Sequence, residues 1–118
     1  MANQIVWADI PVKDLDRAIK FYTAVLGGSV HKEEIPGAAI GVLPHGDGDA
    51  GGCLVTGEES SAKGPLLYLN ANGRLDEALA AVAANGGRVL EPKHQIGPHG
   101  WRAIVLDSEG NRLALHSE

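Results

Sequence analysis

Two stretches of this sequence follow one plan, and they start about 60 residues apart. Asp14-Leu15-Asp16-Arg17-Ala18-Ile19 opens an amphipathic run in the first half, and Arg74-Leu75-Asp76-Glu77-Ala78-Leu79 opens its counterpart. Each run closes on paired glycines, Gly27-Gly28 and Gly86-Gly87, and each pair leads into a β-rich stretch. A half of this size cannot bury its own apolar face, so the two must pack together. A duplicated α+β unit of this kind builds one shared concave site, which directs attention to the region between the halves.

The periodicities resolve the plan into elements. Residues 4–11 alternate up to Pro11, which predicts a strand with Val6, Ala8 and Ile10 on one face and Trp7 and Asp9 on the other. Asp14 is placed to cap a helix, Leu15, Ile19, Tyr22 and Leu26 form its apolar stripe, and Gly27 suits a left-handed cap. Arg17 and Lys20 lie opposite that stripe and read as solvated surface. Strands are expected at 29–35 and 38–43 around Pro36-Gly37, then a glycine-rich loop over 44–52 and a short strand from Cys53. The plan restarts with a strand at 65–71, an alanine-rich helix at 74–85, strands at 88–92 and 101–106, the turn 107–110 and a last strand. The chain thus reads as one α+β domain over 1–118, βαβββ twice, with pseudo-repeats 1–57 and 64–118 and a connector at 58–63. The two curved mixed sheets would share a groove, with the helices outside.

Composition narrows the functional classes. A net charge of −5 with interspersed signs argues against nucleic acid and anionic membranes as partners. The single cysteine, Cys53, excludes an internal disulfide framework and fits a reducing cytoplasm. No apolar stretch is long enough to span a bilayer. The run Gly46-Asp47-Gly48-Asp49-Ala50-Gly51-Gly52 lacks the Lys-Ser/Thr of a phosphate loop and is followed by a strand pattern. Asp47 and Asp49 do not complete a calcium loop either.

Val12 to Gly28 resembles the first-helix signature of the vicinal oxygen chelate superfamily, which includes glyoxalase I, extradiol dioxygenases and bleomycin-resistance proteins. The second half agrees through Arg74 to Val89, and the ending Asp107-Ser108-Glu109-Gly110-Asn111-Arg112 is similar to the family's turn into its last strand. The resemblance implies the duplicated fold, a homodimer, and in metal-dependent members four ligands on the first, fourth, fifth and eighth strands. Carried onto this chain, those positions fall on Trp7, near Cys53, near Leu66 and on Ala114. None offers the usual His or Glu, so no metal and no cofactor is expected.

What remains is a face suited to a small organic ligand. By strand parity Trp7, Asp9, Leu66, Tyr68, Asn70, Arg112, Ala114 and His116 point inward, with Cys53 beside them and Trp101 placed to overhang the entrance from a glycine-rich loop. Trp and Tyr would supply stacking area, and Arg, Asp and Asn orientation. Cys53 also fits as a small packed residue, and Trp7 as a plug filling the space of the lost metal. His94 and His99 read as solvated loop residues, with a metal pair as the sharper possibility. His31 and His45 read as surface. The leading expectation is a metal-independent binding protein of this superfamily. The alternative is a metal-dependent lyase, isomerase or dioxygenase.

Overall fold

The computed structural model describes residues 4–57 and 60–118. Each half forms one mixed four-stranded sheet. The first contains β1 (Trp7–Pro11), β2 (His31–Ile35), β3 (Ala38–Val42) and β4 (Gly51–Val55), with α1 (Leu15–Leu26) between β1 and β2. The second contains β5 (Leu67–Asn70), β6 (Arg88–Gln95), β7 (Trp101–Leu106) and β8 (Arg112–Ser117), with α2 (Leu75–Ala84) after β5. The strand orders, β1-β4-β3-β2 and β5-β8-β7-β6, are the same arrangement used twice. In each half the first strand pairs parallel with the last, and the other pairings are antiparallel.

Local chemistry sets the helix ends. The Asp14 carboxylate accepts from the Arg17 amide at 3.1 Å, and Gly27 takes the left-handed conformation at φ 73°. α2 begins without a side-chain cap, although Asp76 and Glu77 place acid in its first turn. The helices pack against each other on the sheet faces that carry Ile10, Leu54, Leu113 and Leu115. Phe21, Tyr22, Val82 and Val105 belong to one buried cluster, so the halves share a single core. No helix among the described residues is long and apolar enough to cross a membrane.

A polar lock joins the halves where the sequence suggested only surface. Asp107 and Glu109, both 2% exposed, lie in the turn between β7 and β8 and meet the start of α1. Glu109 receives the Lys13 and Asp14 amides at 2.8 and 2.9 Å and both ends of the Arg17 fork at 2.7 and 2.8 Å. Tyr22 donates to Asp107 at 2.5 Å, and burial first, then that carboxylate, pushes its phenol well above the usual range. Arg17 is therefore the partner of a buried acid, not an idle surface cation.

Two boundaries differ from expectation. β4 starts at Gly51, not Cys53, and β6 continues to Gln95 through register shifts around Glu91, which let Pro92 sit in the strand. His94 consequently stands on the sheet instead of in a loop. Of the connector expected at 58–63, residues 58 and 59 lie outside the described residues. Beyond them, Ser60 bonds the Pro11 carbonyl at 3.1 Å and the Ser61 amide bonds Asn111 at 3.0 Å, so this stretch is tied to both halves.

Candidate binding seam

β1 and β5 each pair on one side only, and the space between their free edges is the seam of the molecule. A cleft of about 420 Å³ opens there, with Ile5, Ala8, Ile10, Leu43, Leu67 and Leu69 among its apolar lining residues and Tyr68 and Asn70 among its polar groups. That volume falls in the range of small-molecule sites. A second cleft of about 270 Å³ adjoins Asp9, Pro11, Ser61, Lys63, Asn111 and Arg112. The Arg112 side chain gives one N–H to the Gly64 carbonyl at 3.3 Å and leaves its buried Nε without a partner.

The residues expected to face one groove divide between the two sheets. On the first sheet, Trp7 is 44% exposed and lies edge-on to His45, with ring centres 5.5 Å apart. Gly51 is its register partner, and a Cβ there would fall 3.0 Å from the indole and 2.9 Å from His45, so the glycine makes room for both rings. His45 is exposed, as the sequence reading has it, and also forms this aromatic pair. Cys53 donates to Asp9 at 3.3 Å. Burial raises the thiol above its ordinary value, a contact with Trp7 opposes this, and Asp9 adds to it. A thiol held protonated is a packing group, not an activated nucleophile.

On the second sheet, Tyr68 stands edge-on to His116 at 6.5 Å, and its hydroxyl accepts from Arg102 on β7. Arg102 also donates through Nε to His94 Nε2 at 3.0 Å. A guanidinium only donates, so His94 Nε2 must be the unprotonated nitrogen, and Nδ1 carries the proton that bonds the Pro92 carbonyl at 2.9 Å. His116 gives its Nε2 proton to the His99 carbonyl at 2.7 Å. Asn70 closes a local turn by accepting the Asn72 amide at 2.8 Å. Arg102 escaped sequence reading and His94 was read as a loop residue, although the alternation of Trp101-Arg102-Ala103-Ile104 against the last strand puts Arg102 in register with His116.

Trp101 and Leu66 occupy other surroundings, whereas Ala114 is the register partner of Tyr68 and shares its face. Trp101 lies over Lys93, 5.6 Å from ring centre to ammonium, beside the first turn of α2, because strand alternation sends it to the face opposite Arg102. Ala114 is fully buried, and Leu66 is partly buried just ahead of β5. Among the described residues, no hydrogen bond or ring contact joins the Trp7 cluster to the Tyr68 cluster.

The residues present do not fit the metal that the resemblance would bring. An indole, a methyl and an isobutyl side chain cannot coordinate, and Cys53 alone is not a site. Both His94 nitrogens are engaged within the fold, which also removes the His94–His99 pair. No group of three His, Cys, Asp or Glu side chains able to hold an ion occurs among the described residues.

Comparisons with known proteins agree with this architecture. Residues 4–115 match the model of the Glyoxalase/Bleomycin resistance protein/Dioxygenase superfamily. A glyoxylase-like domain-containing protein of Didymella fabae is 32% identical over 96% of this chain and 92% of its own length. CFP32 of Mycobacterium tuberculosis is 30% identical over 90% of this chain, which spans only 41% of that protein. Among solved structures, a glyoxalase/bleomycin resistance protein from Albidiferax ferrireducens superposes with TM-score 0.82 at 21% identity, covering 98% of this chain and 99% of its own. The fosfomycin resistance protein FosX from Mesorhizobium loti gives 0.69 at 15% identity, covering 100% and 94%.

Proposed function

Because this chain belongs to the Glyoxalase/Bleomycin resistance protein/Dioxygenase superfamily, we propose that it binds a small organic molecule at the seam between its halves, without a metal ion. The cleft of about 420 Å³ between the free edges of β1 and β5, apolar inside and with Tyr68 and Asn70 among its lining residues, carries the reading. Its metal-independent part rests on the positions that the resemblance assigns to metal ligands, which fall on Trp7, near Cys53, near Leu66 and on Ala114 and bring no coordinating set. The test is elemental analysis of the purified protein after incubation with zinc, nickel, manganese and iron. The expected result is no stoichiometric ion surviving dialysis. A tightly held divalent ion would replace this reading with lyase, isomerase or dioxygenase chemistry.

Whether Trp7 borders an open site or plugs a closed one has a separate readout. A ring 44% exposed contributes about half its apolar area to the fold, so Trp7→Ala should cost about 1 kcal/mol in urea denaturation. A cost of about 3 kcal/mol or more would mark a plug in a closed core.

The exposed apolar side chains also favour a homodimer. Ile5, Val6 and Trp7 at 68, 70 and 44% exposure run up to and into β1, and Tyr68 on β5 is 48% exposed. A second copy of the chain covering these edges would complete the seam. Light scattering behind size exclusion should return twice the 12.3 kDa chain mass at micromolar concentration, and a monomer would remove this part of the proposal.

A further inference from the structure

Arg102 is a cation fixed in place by neutral groups. Its Nη1 donates to the Tyr68 hydroxyl, its Nε to the unprotonated nitrogen of His94, and its guanidinium lies 5.9 Å from the centre of the Tyr68 ring. Ion pairs hold Arg17, Lys32 and Lys93, but among the described residues no carboxylate lies within ion-pair distance of Arg102. The acidic residue on the adjoining strand, Glu91, is in register with Ile104, two residues further along β7.

A partly buried guanidinium held by two acceptors has already lost much of its side-chain freedom, yet its charge is not neutralised and Nη2 retains N–H donors. Such a group is prepared for an oxyanion, which adds charge-assisted hydrogen bonds without the ordering cost of a free arginine. The net charge of −5 makes the chain as a whole repel anions, so any anion preference must be local. Tyr68 supplies the link to the cleft, since it is one of the cleft's lining residues while its hydroxyl receives Arg102.

We infer that the ligand is a small organic acid whose apolar body lies in the seam and whose carboxylate or phosphonate is bound by Arg102. This rests on the binding reading above and adds the chemical class of the ligand. Arg102 is its anion anchor, and Tyr68 and His94 are positioning residues.

The experiment is a set of NMR titrations of the intact protein with phenylacetate, benzylphosphonate and the neutral isostere phenylacetamide. The expected result is saturable shifts of amides on β5, β7 and β8 with at least one acid, and roughly 10- to 100-fold weaker binding of the amide. Arg102→Gln should remove that preference while leaving the weak amide binding. Tyr68→Phe, which keeps the charge but removes one holder, should weaken the acid by less. Raising the salt should weaken acid binding and leave the amide unchanged. A preference for one acid over the other identifies the oxyanion. Equal affinity of acid and amide, or an acid preference that survives Arg102→Gln, would overturn the anion assignment and leave the seam reading standing. No shift from any of the three at millimolar concentration would overturn both.

Discussion

Glu109→Ala should lower the unfolding free energy by about 3 kcal/mol. The Glu109 side chain is fully buried and accepts from two backbone amides, the Arg17 fork and the Ser108 hydroxyl. Truncation leaves the Lys13 and Asp14 amides without acceptors at the entry to α1, and an orphaned buried donor costs its full desolvation. Arg17 is half exposed and can return to water, which keeps the loss below that of a wholly buried pair. The same site predicts acid lability. Burial alone would raise the Glu109 pKa, but Arg17, the two amides and Ser108 outweigh it and lower it from 4.5 to about 2. The folded state therefore binds fewer protons than the unfolded state between these values. The stabilisation is present above about pH 4.5 and is lost as pH falls toward about 2. It amounts to about 2 kcal/mol once solvent screening at Arg17 is allowed for. Urea midpoints measured from pH 5 down to pH 2 should show a shallower decline for Glu109→Ala than for the native chain. Parallel declines would mean that other carboxylates carry the acid transition.

The repeat, the order of elements and the two faces of each strand were legible because they are local patterns. Residues 4–11 alternate, the helix stripes recur at helical spacing, and the glycine pairs punctuate both halves. Contacts made across the fold were not legible. Arg17 stands opposite the apolar stripe of its own helix, which is the signature of a solvated residue, and its partner lies 92 positions away. From sequence the strand spans 88–92, yet β6 runs on to Gln95, with register shifts around Glu91 that accommodate Pro92. That extension brings His94 opposite Arg102, a pairing no sequence window contains. Parity also assigned side chains to a face without saying whether the two faces meet. Trp7 and Tyr68 both point away from the helices, but each finds its contacts within its own sheet, and the space between the sheets is a seam at β1 and β5.

The glycine pairs carry the second large prediction, and here the repeat is asymmetric. Both pairs read as helix terminators, and Gly27 and Gly86 fill that role with φ of 73° and 89°. The second member of each pair has a different surrounding. A Cβ on Gly87 would stand 2.5 Å from the Leu106 carbonyl oxygen, 2.7 Å from the Phe21 ring and 2.9 Å from Val82. One neighbour is backbone in the core strand β7, and the other two are buried side chains that hold the helices together. No rotamer change relieves all three, so β6 must move away from β7 or the α1–α2 contact must open. Gly87→Ala should therefore cost about 3 kcal/mol, at the upper end of overpacking by one methyl. At Gly28 the same methyl would meet only Pro44, at 3.4 Å, an ordinary contact. Gly28→Ala should change stability by no more than about 0.5 kcal/mol, helped by the smaller entropy of its unfolded chain. Thermal or urea denaturation of the two variants side by side reads the difference. A Gly28 variant as unstable as the Gly87 variant would mean that both pairs act only through backbone conformation, and that the two halves are equivalent at this corner. The opposite result would place the tightest backbone approach in the second half, on the sheet that also carries Tyr68 and Arg102, where a rigid strand is what a fixed guanidinium requires.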